Sequence, residues 1–178
     1  MNICVFGSAN KGIDEYFQEK GYELGHKLAD LGHDVIFGAG SYGMMGSVAK
    51  GVTENNGKVY GILPSWMDNF DDIFEGCEDV IYTKGIDDRK ELFLNHSDIF
   101  IITPGGLGTL DEFFEFVSLK QLKRHKKPIF IYNINHFYDD LIELLNVMAE
   151  GNFIFVPYRL YEVADNLDDL IKLIEDAF

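Results

Sequence analysis

The chain has 178 residues, 47% of them apolar, which is the usual length and core content of one domain, taken as residues 1–178. Thirty acidic residues against 15 basic ones leave a net charge of −15, which repels polymeric DNA and RNA over most of the surface. A small anionic ligand is not excluded, because a few backbone N–H groups and local cations hold a phosphate whatever the total charge.

Met1 leads straight into Ile3-Cys4-Val5-Phe6, with no basic leader, cleavage site or long apolar stretch, so a cytoplasmic protein with no membrane partner is expected. Cys4 and Cys77 have no Cys or His near them at metal-ligand spacing, so both are read as reduced thiols and no metal is expected.

Ile3–Phe6 reads as a short buried strand. It runs into Gly7-Ser8-Ala9-Asn10-Lys11-Gly12, where Gly7 and Ser8 are small enough to let the backbone approach a ligand; a solvated turn would look the same. Tyr16, Leu24, Leu28 and Leu31 then recur at helical spacing before Gly32, and Val35–Phe37 reads as the next strand. It opens into Gly38-Ala39-Gly40-Ser41-Tyr42-Gly43-Met44-Met45-Gly46, which satisfies G-x-G-x-x-G. A dinucleotide site would place an acidic residue about 20 positions on, at the end of the following strand. That strand, Val59–Leu63, ends in Gly61-Ile62-Leu63-Pro64 instead. The loop therefore fits simple phosphate binding by Gly40, Gly43 and Met44, and equally a structural tight turn. Trp66–Gly76, with Asp68, Asp71, Asp72 and Glu75, is the least regular stretch and reads as a surface loop or a mobile flap.

After a strand at Val80–Tyr82, Arg89 and Lys90 stand at a helix start, where cations oppose the macrodipole at a cost of roughly 0.3–1 kcal/mol each. A bound anion would relieve that, and so would Asp87, Asp88 and Glu91. Ile99–Ile102 is the most apolar strand, followed by Thr103-Pro104-Gly105-Gly106-Leu107-Gly108-Thr109-Leu110-Asp111-Glu112. Three glycines between a buried strand and a helix start form an anion cradle. No Gly-Lys-Ser/Thr follows, so this is not a Walker A loop. Thr109-x-x-Glu112 matches a capping box. A carboxylate beside a phosphate cradle also repels its ligand, which points to a use: steadying an oxocarbenium-like centre or activating water. Leu110, Phe113, Phe114 and Val117 continue the helix, and Ile129–Tyr132 and Tyr161–Val163 complete a set of seven strands. Strand and helix alternate, so the expected fold is α/β: a Rossmann-like, doubly wound, mainly parallel sheet of about seven strands with helices on both faces.

Pro104-Gly105-Gly106-Leu107-Gly108-Thr109-Leu110-Asp111-Glu112, with the upstream Arg89-Lys90 pair, resembles the LOG family of cytokinin riboside 5′-monophosphate phosphoribohydrolases, once widely labelled lysine decarboxylases. The family motif is PGGxGTxxE. Gly38–Gly46 and Gln121-Leu122 through His125, Lys127-Pro128 and Asn133 add supporting matches. The resemblance implies a homodimer that hydrolyses the N-glycosidic bond of an AMP-like nucleotide, without a cofactor, to free base and ribose 5-phosphate. It further implies Arg89 and Glu112 as the catalytic pair, with Gly105, Gly106, Gly108 and Thr109 on the phosphate. Lys90, beside Arg89, joins the phosphate-binding candidates. Asp87-Asp88 replaces the usual His-Glu, Ala39 interrupts a Gly-Gly-Gly run and Leu119 stands where a Trp is common. Those departures bear on the base pocket and substrate preference. The alternatives are a nucleotide carrier without turnover and an enzyme that transfers a deoxyribosyl group between bases.

Overall fold

The computed structural model describes residues 1–69, 72–154 and 159–177. In chain order it forms β1 (Asn2–Phe6), α1 (Glu15–Asp30), β2 (Asp34–Phe37), α2 (Gly43–Glu54), β3 (Val59–Pro64), β4 (Asp79–Thr83), α3 (Ile86–His96), β5 (Ile99–Ile102), α4 (Leu107–Gln121), β6 (Ile129–Tyr132), α5 (Asp139–Glu150), β7 (Glu162–Ala164) and α6 (Leu167–Asp176). Short 3₁₀ turns follow β3 at Ser65–Asn69 and β6 at Ile134–His136.

All seven strands pair in parallel, in the order β4-β3-β2-β1-β5-β6-β7. The expected α/β architecture is therefore the one observed, with an entirely parallel sheet. The sequence pattern explains why. β5 and β6 bury all four of their residues, and such continuous apolar runs fit only a sheet covered on both sides. Successive strand residues alternate between the two faces. Ile3, Val5, Val35, Phe37, Ile99 and Ile101 meet Leu24, Leu28, Val48, Val52 and Leu170 of α1, α2 and α6. Cys4, Phe6, Ile36, Phe100 and Ile102 meet Phe93, Phe113, Phe116 and Leu145 of α3, α4 and α5.

β1 and β5 lie side by side at the centre, and from them the chain winds outward in opposite directions. Loops that leave such a switch point diverge and open a crevice at the carboxyl ends of the strands. Here the two loops are pinned at their roots. Thr103 donates to the Phe6 carbonyl through both its N–H and its Oγ1, each at 2.8 Å, and the Ser8 N–H donates to the Pro104 carbonyl at 3.0 Å.

The second glycine loop is held from outside the sheet. The Ser41 N–H donates to Asp72 O and the Phe74 N–H to Ala39 O, either side of an antiparallel bridge between Gly40 and Ile73. Ala39 adopts φ 66°, a left-handed conformation that glycine takes without strain. Of the irregular stretch Trp66–Gly76, Phe70 and Asp71 lie outside the described residues. Among the described residues, no helix is long and apolar enough to cross a membrane.

Candidate active site

A cavity of about 340 Å³ opens at the carboxyl end of the sheet. Its walls are the loop after β1 (Gly7, Ser8, Asn10), the loop after β2 (Gly38, Gly40), Arg89 from α3, and Gly106, Gly108, Thr109 and Glu112 from the start of α4.

Glu112 and Arg89 face each other across it, with the Arg89 Nη1 3.8 Å from Glu112 Oε1. That distance gives ionic attraction without a hydrogen bond. Arg89 is anchored elsewhere: its Nε donates to the Ile62 carbonyl at 2.9 Å, and its guanidinium carbon lies 5.1 Å from the centre of the Phe93 ring. Only 12% of the Glu112 side chain is exposed. Burial pushes its pKa up to about 7, with Arg89 pulling the other way, so near neutral pH the carboxyl both holds and releases a proton.

The capping box read from Thr109 and Glu112 is not formed. α4 begins earlier, with Gly106 as its N-cap and no side-chain cap, so Thr109 lies inside the first turn. Released from capping, Glu112 stands one turn deeper on the cavity wall. The opening N–H groups of an α-helix have no partner within it. The first backbone bond across the start of α4 is from Leu110 to the Gly106 carbonyl. Among the described residues, nothing lies within 4 Å of the place of a Cβ at Gly106 or Gly108, so none of them demands glycine there. An anion resting against the backbone would.

Of the residues expected to bind substrate, Gly7, Ser8, Gly40, Gly106, Gly108 and Thr109 line this cavity together with Arg89 and Glu112. Four others stand apart from it. The Gly105 N–H donates to the Tyr138 phenol oxygen at 3.0 Å, and so points away from the cavity. The Met44 side chain is fully buried in the core. Gly43, at φ 63°, turns the chain into α2 against the Ser8 and Asn10 backbone. Lys90 is 7% exposed and directs its Nζ to Asp111 Oδ2 at 2.7 Å and Glu115 Oε2 at 2.6 Å.

Asn10, Gly38, Met45 and Met67 line the cavity without having been singled out. For Asn10 a signal existed: its Oδ1 accepts the Gly12 N–H at 2.8 Å, the Asx turn that an Asn two residues before Gly favours.

Residues 45–174 match a family model described as possible lysine decarboxylase. A probable cytokinin riboside 5′-monophosphate phosphoribohydrolase of Oryza sativa subsp. japonica is 31% identical over 176 residues, covering 98% of this chain and 76% of the relative. A cytokinin riboside 5′-monophosphate phosphoribohydrolase of Arabidopsis thaliana is 32% identical, covering 98% and 81%. The chain belongs to the LOG family. Its fold is also that of proteins outside these named hydrolases. The molybdenum cofactor binding protein of Rippkaea orientalis superposes with a TM-score of 0.70 at 24% identity, over 98% of this chain and 94% of that one. The Moco carrier protein of Chlamydomonas reinhardtii gives 0.73 at 22% identity, over 99% and 96%. Against the LOG relatives the likeness extends to sequence along nearly the whole chain; against the carriers it is a likeness of fold.

Proposed function

We propose that this protein hydrolyses the N-glycosidic bond of an AMP-type nucleoside 5′-monophosphate, plain or N6-modified, giving free base and ribose 5-phosphate. The observation that carries the reading is the facing of Arg89 and Glu112 in the same cavity as the open glycine turn of α4. The 5′-phosphate sits at that turn, where N–H groups and the helix dipole favour an anion. The ribose then extends toward Glu112, about one turn further along the same helix. As the bond between C1′ and the base nitrogen lengthens, its electron pair leaves with the base and positive charge gathers at C1′ and the ring oxygen. Ionised Glu112 stabilises that charge and takes a proton from the attacking water, whose oxygen bonds to C1′; the base nitrogen takes up a proton from solvent. Arg89 orients the substrate and keeps part of the Glu112 population ionised.

A pyridoxal-phosphate decarboxylase needs a lysine amine to hold its cofactor, and among the described residues that line the cavity there is no lysine. A carrier without turnover is the second reading, supported by the fold shared with the Moco carriers; it gives the Arg89–Glu112 pair no task.

The test is release of adenine and ribose 5-phosphate from AMP and from an N6-modified AMP. The parent should release both products, while Glu112→Gln and Arg89→Ala each lose on the order of 10²-fold or more and remain folded by circular dichroism. Tight nucleotide binding with no release from either substrate would replace the hydrolase by the carrier.

A further inference from the structure

Lys90 stands next to Arg89 in the sequence, yet it ends in a different place. Consecutive residues on a helix point about 100° apart, so α3 sends Arg89 into the cavity and Lys90 against α4. There its ammonium meets Asp111 at 2.7 Å and Glu115 at 2.6 Å, two carboxylates one turn apart on α4 that flank Glu112 in sequence. Only 8% of the Lys90 side chain is exposed. An ammonium has three donors, and two are already committed to full negative charges. Turning it toward a phosphate would leave both carboxylates unpaired beside Glu112.

We propose that Lys90 is a positioning residue for Glu112, acting by screening Asp111 and Glu115 and by holding α3 against α4, and that it does not bind the substrate phosphate. The role rests on the hydrolase reading above, since Glu112 is the group it serves.

Among the described residues, charged and titratable groups from three elements act on Glu112. α3 brings Arg89 and Lys90, α4 brings Asp111 and Glu115, and β1 brings the buried Cys4 thiol, itself pushed well above its usual range by burial and by Glu112 and so uncharged. Asp111 and Glu115 favour the protonated form of Glu112, while Arg89 and Lys90 favour the ionised one. On Lys90 itself burial disfavours the charge, and its hydrogen bonds to the two carboxylates outweigh that. Two cations thus stand against three carboxylates, and Lys90 is the cation that offsets the two not engaged in catalysis.

Opposite shifts from opposite changes are the signature of such a screen. The titration of the Glu112 carboxyl is read directly by ¹³C NMR, and the acid limb of kcat/KM for AMP is measured alongside it. Lys90→Met should raise the Glu112 pKa by about one pH unit, a tenfold change in proton affinity. Asp111→Asn with Glu115→Gln should lower it. The triple variant carrying all three changes, which buries no unpaired charge, should return close to the parent, and Lys90→Arg should stay there. An unmoved Glu112 titration in Lys90→Met would overturn the proposal, and a KM for AMP raised tenfold in the triple variant with Glu112 titrating as in the parent would overturn it and restore Lys90 as a phosphate ligand. Absence of hydrolysis in the parent would sink the hydrolase reading alone, because the NMR titration still shows whether Lys90 governs Glu112.

Discussion

The guanidinium of Arg89 occupies the space in which Gly38 would carry a side chain: a Cβ there would lie 2.3 Å from Nη2. Glycine at this position makes room for a neighbour's charge. Gly38→Ala should therefore push the tip of Arg89 aside while its Nε stays tied to the Ile62 carbonyl. Because the displaced atoms end a flexible side chain, the fold should change little in stability. The expected loss is in kcat, on the order of 10-fold to 10²-fold, the scale of a misplaced catalytic group.

Gly106→Ala is the matched contrast, since a Cβ there meets none of the described residues within 4 Å. The variant should unfold like the parent and lose affinity for ribose 5-phosphate, with KM rising more than kcat falls. Calorimetric titration with ribose 5-phosphate separates the two variants; equal affinity in Gly106→Ala and parent would remove this turn from the phosphate site.

Most of the sheet is visible in the sequence because strands buried on both faces read as unbroken apolar runs. Tyr161–Val163 marks β7, which lies one residue further on at Glu162–Ala164; a three-residue edge strand leaves little apolar signal to place its ends. The site is legible where a local motif carries it, as with Glu112 and the glycines after β5. It is misread where the outcome depends on a neighbouring element. Thr109 fits a cap pattern, but the helix starts on the backbone of Gly106 and leaves the threonine inside. Lys90 reads as a phosphate-binding candidate because the carboxylates that receive it lie on another helix, more than 20 positions away. Tyr138, 33 residues from Gly105, shares no local pattern with the loop it holds.

Tyr138 links that loop to the rest of the fold. Its phenol accepts the Gly105 N–H at 3.0 Å and donates to the Thr103 carbonyl at 2.9 Å, while its own N–H donates to Asn133 Oδ1 at 2.7 Å. Burial raises its pKa far above the usual phenol range, so it remains a donor throughout the working pH range. Tyr138→Phe would leave a buried carbonyl and a nearby N–H without partners, for a stability loss of about 1–3 kcal/mol in urea denaturation. With the turn before α4 loosened, KM for AMP should rise several-fold and kcat should hold. Unchanged stability and KM together would show that the turn is rigid without the phenol.

Glu112 carries a signature in stability as well as in rate. Its carboxyl moves from an ordinary 4.5 to about 7, chiefly through burial. The folded state therefore holds this proton more tightly than the unfolded chain does. Below pH 4.5 both states keep it and the site costs nothing. Between 4.5 and 7 the unfolded chain ionises first, so stability falls as pH rises; above 7 the loss levels off at on the order of 3 kcal/mol. Glutamine cannot ionise, so Glu112→Gln should escape this loss. Urea denaturation of both proteins at pH 5, 6, 7 and 8 should show the variant gaining on the parent through that window, while its hydrolysis is lost at every pH. Parallel stability curves would mean that Glu112 ionises in the fold as readily as in the unfolded chain, with burial offset by Arg89.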